Sequence, residues 1–145
     1  MLKGIDPLLS PELLHTLAAM GHGDEIVLVD CHFPAVSIAQ RLVRLDGVTL
    51  PQAARAVLSL LPIDTFIDQP VAGMRMVDTP DVVPDVQVEV FDAVREIELR
   101  SGIKPGGPKR CQQGHVLRRL SAITSCDVDD SFGFYVAPRG AKGDH

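Results

Sequence analysis

The stretch Glu25-Ile26-Val27-Leu28-Val29-Asp30 decides the fold that the sequence predicts. Its apolar centre lies between charged residues, and a short continuous apolar run is typical of a strand that is buried on both faces. Strands of this kind are usually parallel and covered by helices. The run therefore predicts a parallel central strand with Asp30 at its carboxyl end.

Helices and further strands are predicted on both sides of this run. Ser10-Pro11-Glu12 favours a helix start, with a capping side chain, a proline and an acid in the first turn. Gly21 is the expected cap at the end of that helix. Thr49-Leu50-Pro51-Gln52 has capping-box spacing and predicts a helix through Leu61 that Pro62 ends. Further helices are expected at 34–40, 84–99 and 116–120, and further strands at 42–45, 71–77, 122–126 and 133–137.

The order of these elements predicts the fold class. Alternating strands and helices indicate a layered α/β domain. A chain of 145 residues suits one domain whose core needs no disulfide or structural metal. Because the Gly/Pro-rich loop at 101–109 is too short to separate two domains, we expect residues 1–145 to form a single domain.

Composition and charge argue against several classes of protein. The net charge is -5 and no basic stripe is present, which argues against a nucleic-acid partner. No apolar run reaches transmembrane length, and residues 1–20 lack the pattern of a signal peptide. The cysteines are odd in number and form no CxxC pair, which favours a reducing cytosol over a disulfide framework.

The segment Gly21-His22-Gly23-Asp24 is the first candidate for chemistry. Glycine on both sides of His22 permits a sharp turn and leaves room for a ligand. Histidine is also the side chain best suited to proton transfer near neutral pH. The alternative is a turn that exposes a histidine without a function.

Asp30 is the second candidate, because open α/β sheets bind ligands at the carboxyl ends of their strands. Its carboxylate could accept hydrogen bonds from sugar hydroxyls, while a helix cap or a loop ion pair is the alternative. His32 would lie on the same side if the chain stays extended, and Asp24 could simply fix the glycine-rich turn. Zinc or manganese held by His22, Asp24, Asp30 and His32 is a further alternative, although no standard metal-binding spacing occurs. We expect Cys31 to be a buried, unreactive thiol.

The carboxyl-terminal part of the chain adds two weaker candidates. Arg110 follows the Gly/Pro-rich loop, where a cation could reach a polar ligand, and a solvated surface charge is the alternative. Phe132-Gly133-Phe134-Tyr135 is the densest aromatic cluster. Aromatic rings can stack on the C–H face of a sugar, although strand aromatics more often belong to the core.

Several segments together resemble one known family. The matching stretches include Met1-Leu2-Lys3-Gly4-Ile5, Ser10-Pro11-Glu12-Leu13-Leu14, Met20-Gly21-His22-Gly23-Asp24-Glu25-Ile26, Asp30-Cys31-His32-Phe33-Pro34-Ala35 and Val43-Arg44-Leu45-Asp46-Gly47. In these stretches the sequence is similar to the D-ribose pyranase / L-fucose mutarotase (RbsD/FucU) family, and to its fucose branch in particular. The likeness is specific through about residue 66, thinner from 67 to 105, and sparse in identities beyond that.

The resemblance implies a three-layer α/β/α domain of the RbsD-like type and an isomerase that interconverts the anomers of a monosaccharide such as L-fucose. It also implies a cytoplasmic protein without cofactor or metal, assembled as a ring-shaped homo-oligomer, often a decamer, with sites at subunit boundaries. His22 would be the catalytic proton donor. The residues that would bind the sugar are Asp30, Arg110, Phe132, Gly133 and Phe134.

Some positions depart from the family pattern. Phe132 stands where the family has tyrosine, Phe134 where it has asparagine, and Gly114 where it has an aromatic residue. Each lost hydrogen bond would weaken recognition of a polar ligand by roughly 0.5–1.5 kcal/mol. Two such losses would reduce affinity about tenfold or more, or shift the preference to a less hydroxylated sugar. The alternative function is therefore a monosaccharide-binding or regulatory protein without catalytic activity on the same scaffold.

Overall fold

The computed structural model describes residues 2–21, 24–63, 70–76 and 78–100, together with the backbone of strands at 109–111, 120–126 and 134–136. The helices in these parts are α1 (Pro11–Ala19), α2 (Ala35–Ile38), α3 (Leu50–Leu58) and α4 (Asp85–Arg100). The strands are β1 (Glu25–Val29), β2 (Arg41–Asp46), β3 (Val71–Met74), β4 (Lys109–Cys111), β5 (Leu120–Cys126) and β6 (Phe134–Val136). This mixture of helices and strands confirms the predicted α/β class.

The strands form one sheet in the order β2-β5-β1-β6-β3-β4. β5 is parallel to β1 and β2, and β4 is parallel to β3, whereas β6 runs antiparallel to both of its neighbours. The predicted parallel pairing of the central strand is thus confirmed on the β5 side of β1. Every described pairing joins a strand that precedes residue 101 to one that follows residue 108, so the two parts of the chain alternate across the sheet.

Helices lie on both faces of this sheet and bury its alternate side chains. Ile26 and Leu28 of β1 belong to the larger core, which α1, α3 and α4 cover. Val27 and Val29 belong to a smaller cluster on the other face, together with Ala35 of α2. Because successive side chains of a strand point to opposite faces, a strand covered on both sides needs a continuous apolar run. The layering agrees with the one that the sequence predicts.

The predicted helix starts are confirmed by hydrogen bonds at their caps. Ser10 Oγ accepts a hydrogen bond from the Leu13 N–H, 3.2 Å away, at the start of α1. At the start of α3, Thr49 Oγ1 accepts from the Gln52 N–H at 3.3 Å, and Gln52 Oε1 accepts from the Thr49 N–H at 3.0 Å. These caps satisfy N–H groups that have no partner inside the helix, so the starts depend on local sequence.

The end of α3 differs from the prediction. The helix ends at Leu58 and not at Leu61, because Ser59 Oγ donates to the Ala56 carbonyl at 2.6 Å. A side-chain hydroxyl that occupies a backbone acceptor competes with continued helical pairing. The chain therefore leaves the regular helix before it reaches Pro62.

Some carboxyl-terminal predictions are also corrected. β4 is not predicted, because its residues lack an apolar period, and its pairing with β3 joins distant parts of the chain. The helix expected at 116–120 is wrong at Leu120, which is the first residue of β5, while residues 116–119 lie outside the described residues. The strands expected at 122–126 and 133–137 are confirmed as β5 and β6 over the residues that the structure describes.

Within the described ranges, no helix combines the length and the apolar character that crossing a bilayer requires.

Candidate functional site

Asp30 follows the last residue of β1 and is almost completely buried, with 3 % of its surface exposed. Isolated carboxyl groups are rarely buried to this extent without a partner. The apolar run of β1 brings Asp30 to the carboxyl edge of a parallel strand pair, where α/β proteins bind ligands. The structure therefore places this predicted residue where the sequence analysis expected it.

The two carboxyl oxygens of Asp30 have different surroundings. Oδ1 accepts hydrogen bonds from the backbone N–H groups of His32 and Phe33, at 3.1 and 3.0 Å. Oδ2 is buried and has no hydrogen-bond partner among the described residues. One oxygen thus closes the turn after β1, and the other is left to accept from or donate to a group outside these residues.

The turn at Asp30 corrects two expectations. The chain turns directly after β1, so His32 does not continue an extended strand and is exposed. Cys31 is exposed as well, whereas the sequence analysis expected a buried thiol. Both differences arise because the side chain of Asp30 binds backbone N–H groups two and three residues later, which favours a turn over a strand.

Burial raises the pKa of the Asp30 carboxyl above its ordinary value of 3.8. The N–H groups of Phe33 and His32, and the charge of His32, act in the opposite direction but are outweighed. A carboxyl whose pKa is raised exchanges its proton closer to neutral pH than an exposed aspartate does. Asp30 is therefore suited to orient or share a proton at a ligand.

The glycine-rich turn before β1 is held at the two described residues that flank His22 and Gly23. The Gly21 N–H donates to Asp24 Oδ2 at 2.8 Å, and the Asp24 N–H donates to the Gly21 carbonyl at 3.2 Å. The role expected of Asp24, fixing this turn, is therefore confirmed. His22 itself, the predicted proton donor, lies outside the described residues.

Gly21 does not have the predicted role of helix cap. Met20 caps α1 with an extended backbone, and its N–H donates to the Leu17 carbonyl at 3.3 Å. The left-handed conformation that favours glycine at a helix end is therefore not used here. Gly21 instead begins the turn that Asp24 closes.

Strand pairing places two further candidates in one row across the sheet. Phe134 of β6 pairs with Leu28 of β1 and with Gly73 of β3, and Gly73 pairs in turn with Arg110 of β4. Neighbouring strands are about 4.8 Å apart, so the backbone of Arg110 lies roughly 14 Å from that of Leu28. Phe132 and Gly133 lie outside the described residues.

A small cavity of about 110 Å³ lies beside the turn at Asp30, and the sequence analysis did not predict it. Small-molecule sites usually measure about 300–1,000 Å³, so this cavity alone does not form a complete site. Between residues 2 and 100, in the parts that are described, no group of three or more metal-binding side chains occurs. The alternative metal site includes His22, so it stays a prediction. The residues that line the cavity are Cys31, Phe33, Pro34, Ala35, Val36, Leu42 and Arg44.

Comparison with known proteins identifies the family. The model of the "RbsD / FucU transport protein family" matches residues 3–104. The chain belongs to the RbsD/FucU family. The resemblance seen in the sequence is thereby confirmed, and it extends as a family match beyond residue 66, where the sequence analysis found it thinner.

Several relatives of this family member have names that describe an activity. Human fucose mutarotase is 49% identical over 104 residues, which cover 70% of this chain and 67% of the human protein. L-fucose mutarotase of Haemophilus influenzae (strain PittGG) is 46% identical over 94 residues, which cover 65% of each chain. The chain thus spans slightly less than two thirds of the length of the Haemophilus protein.

A solved structure shows the same fold over nearly the whole chain. The fucose mutarotase from Streptococcus pneumoniae, in complex with L-fucose, superimposes with a TM-score of 0.78 at 29% sequence identity. The match covers 97% of this chain and 99% of the other. The RbsD/FucU fold therefore includes the carboxyl-terminal part, which the family model does not reach.

Proposed function

We propose that this protein is a mutarotase, a cofactor-independent isomerase that interconverts the anomers of L-fucose or a similar monosaccharide. The observation that most directly supports the proposal is the buried Asp30, whose Oδ2 has no partner among the described residues at the carboxyl edge of β1. The names of the human and Haemophilus relatives, at 49% and 46% identity, support the reaction class.

The reaction needs two proton movements and no cofactor. As the bond from the anomeric carbon to the ring oxygen breaks, the proton of the anomeric hydroxyl passes to a base, either water or a carboxylate, and an acid gives a proton to the ring oxygen. Closure on the other face of the carbonyl reverses both transfers and gives the second anomer. His22 donates the proton to the ring oxygen, and such general acid–base help accelerates reactions by about 10²–10⁴-fold.

Asp30 supports this transfer through Oδ2. Its Oδ1 is occupied by two backbone N–H groups, so the carboxyl group cannot rotate freely and Oδ2 has a fixed direction. Oδ2 orients either His22 or a hydroxyl of the sugar. A preorganised polar group of this kind stabilises the transition state because it needs no rearrangement during the reaction.

Arg110, Phe132, Gly133 and Phe134 form the sugar-binding part of the site. Because phenylalanine replaces the family's tyrosine and asparagine at 132 and 134, these positions offer the sugar apolar surface in place of a hydroxyl and an amide. A sugar that has fewer hydroxyls than L-fucose at the positions facing residues 132 and 134 loses fewer hydrogen bonds through this replacement.

The assembly and the location are part of the same proposal. Residues 1–145 form one domain, and the protein acts in the cytoplasm as a ring-shaped homo-oligomer, a decamer, with each site at a subunit boundary. The family resemblance supports this assembly, and the odd cysteine count without CxxC pairs supports a reducing compartment.

Saturation-transfer NMR tests the activity, because it measures exchange between the α and β anomers at equilibrium. We expect the wild-type protein to accelerate exchange of L-fucose, L-rhamnose or D-ribose, and His22→Ala to slow it about 10²–10⁴-fold. His15→Ala is the matched control, since His15 is exposed on α1. Exchange no faster than in buffer for all three sugars, or an unaffected His22→Ala variant, would refute the proposal.

The departures at Phe132 and Phe134 favour a second candidate function, sugar binding without catalysis. The fold and the turn at Asp30 are compatible with a protein that only senses or delivers a monosaccharide. Calorimetry distinguishes the two functions when it is combined with the exchange measurement. Binding of L-fucose without accelerated exchange would support the second function, and absence of binding would remove it.

A further inference from the structure

Gln87, near the start of α4, is a buried polar residue that the proposed reaction does not use. Its side chain is 1 % exposed, and its Nε2 donates to the carbonyl of Met74 at 2.7 Å. Met74 is the last residue of β3, so this hydrogen bond ties the helix to the end of the strand. An amide inside an apolar core needs such a partner.

Gly73 lets α4 approach β3 closely at the same point. A Cβ atom at Gly73 would lie 2.8 Å from Gln87 Oε1 and 2.8 Å from Phe91 Cζ. Real Cβ atoms essentially never show contacts this short, so a larger residue at 73 would displace the ends of the Gln87 and Phe91 side chains. The hydrogen bond and the close packing together fix β3 against α4.

The position of β3 determines the separation of two sugar-binding candidates. In the sheet, β3 lies between β6 and β4, and Gly73 pairs with Phe134 on one side and with Arg110 on the other. Because Phe134 also pairs directly with Leu28 of β1, a movement of β3 changes where Arg110 lies relative to Phe134 and to the β1 edge at Asp30.

Gln87 also has a polar atom that its surroundings do not satisfy. Oε1 is buried and has no hydrogen-bond partner in the described residues. An unpaired buried acceptor is unfavourable, and an apolar side chain of equal size would avoid it. The contribution of the amide to the fold therefore comes from its N–H group and the carbonyl of Met74.

We propose that Gln87 is a positioning residue for the sugar-binding half of the site. Through Met74 and Gly73 it holds β3, and thereby sets the spacing of Arg110 and Phe134 around the ligand. This inference rests on the proposed function for its effect on the sugar, but its effect on the strands is independent of any activity.

Gln87→Met tests the inference, with Val90→Ala as the matched control. Methionine has a similar length and no N–H donor, while Val90 is fully buried on α4 and forms no hydrogen bond to β3. We expect Gln87→Met to raise KM for L-fucose at least fivefold with kcat within twofold of wild type. We also expect faster amide hydrogen exchange at 109–111 and 134–136 than in Val90→Ala.

The outcomes separate this inference from the proposed function. If wild type neither binds nor accelerates anomer exchange of L-fucose, L-rhamnose or D-ribose, the proposed function fails, and the amide hydrogen-exchange comparison still decides whether Gln87 holds the strands. Amide hydrogen exchange at 109–111 and 134–136 that is equally fast in Gln87→Met and in Val90→Ala would overturn the inference. If the protein is active, faster amide hydrogen exchange in these strands with an unchanged KM in Gln87→Met would also overturn the inference.

Gln87→Glu is the second variant, should Gln87→Met fail to fold. A protonated carboxyl can donate to the Met74 carbonyl, whereas an ionised one cannot. We expect its KM, divided by the wild-type KM at the same pH, to approach one in acid and to rise at least fivefold as pH increases. A ratio that does not change with pH would overturn the donor role.

Discussion

Residues 3–104 and residues 105–145 differ in how closely they follow the family. The family model matches the first part, which contains His22 and Asp30. The second part contains Arg110 and the segment at 132–134, where the family resemblance implies that Phe132 and Phe134 replace a tyrosine and an asparagine. The likeness in fold nevertheless covers 97% of the chain, so it includes the second part as well as the first.

This difference indicates that the pairing of the strands and the recognition of the sugar depend on different chemical groups. A sheet is held together by backbone N–H and C=O groups, which any side chain can supply. Recognition of a sugar depends on particular side-chain groups. We therefore infer that the proton-transfer half of the site is retained and that the binding half has changed its preference.

The largest expected effect is loss of folding when the second part is removed. A chain that ends at residue 104 lacks β4, β5 and β6, which provide every described pairing partner of β1, β2 and β3. We expect no cooperative thermal transition by circular dichroism, because isolated strands are not stable in water. A chain that ends at Val136 keeps all described strands and should unfold cooperatively. A cooperative transition in the shorter chain would show that the first part folds alone.

Substitution of Asp30 has the second largest expected effect. It separates the structural role of this side chain from its chemical role. Asparagine keeps an oxygen for the N–H groups of His32 and Phe33 but removes the carboxyl group. We expect Asp30→Asn to lower kcat/KM about 100-fold, without lowering the free energy of unfolding at pH 7. Asp30→Ala should lose the same activity and about 1–3 kcal/mol of stability, because two N–H groups lose their acceptor. Equal stability of the two variants in urea unfolding would contradict the assignment of Oδ1 to the turn.

Restoring the family's side chains in the second part should have a smaller effect. In Phe132→Tyr/Phe134→Asn, each restored hydrogen bond is worth roughly 0.5–1.5 kcal/mol, so KM for L-fucose should fall about tenfold. Tyr135→Phe is the matched control, because neighbouring residues of a strand point to opposite faces. An unchanged KM in the double variant would place the sugar preference elsewhere.

The smallest expected effect concerns Glu98, close to the boundary between the two parts. Glu98 is 2 % exposed, and burial raises its pKa above the ordinary value of 4.5, although the charge of Arg95 opposes this. With a raised pKa, its contribution to stability is greatest below pH 4.5 and is lost as pH rises through the folded-state pKa. Glu98→Gln should therefore raise the free energy of unfolding at pH 7, with the gain disappearing near pH 4.5. Glu89→Gln, exposed on the same helix, should show no such gain.

The sequence predicted well those features that depend on neighbouring residues. The caps at Ser10 and Thr49 and the apolar run of β1 are local patterns, and the structure confirms each of them. The place of Asp30 at the carboxyl end of that strand follows from the run and is confirmed as well. These features were predictable because their hydrogen bonds and periodicity lie within a few residues.

Features that depend on distant contacts were not predicted. β4 forms because its backbone pairs with β3, and nothing in Lys109-Arg110-Cys111 alone indicates a strand. The contact of Gln87 with Gly73 and Met74 likewise joins a helix to a strand that the sequence does not place side by side. The turn that exposes Cys31 was missed because an aspartate at a strand end is compatible with several local conformations.

Saturation-transfer NMR of L-fucose anomer exchange, resolved into kcat and KM, decides whether the two parts of the chain have separate roles. We expect wild type to accelerate exchange, Asp30→Asn to lower mainly kcat, and Phe132→Tyr/Phe134→Asn to lower KM with kcat within twofold. Exchange of L-fucose, L-rhamnose and D-ribose by wild type that is no faster than in buffer would refute the proposed activity. If Asp30→Asn and Phe132→Tyr/Phe134→Asn both changed the same one of kcat and KM, the two parts of the chain would not have separate roles.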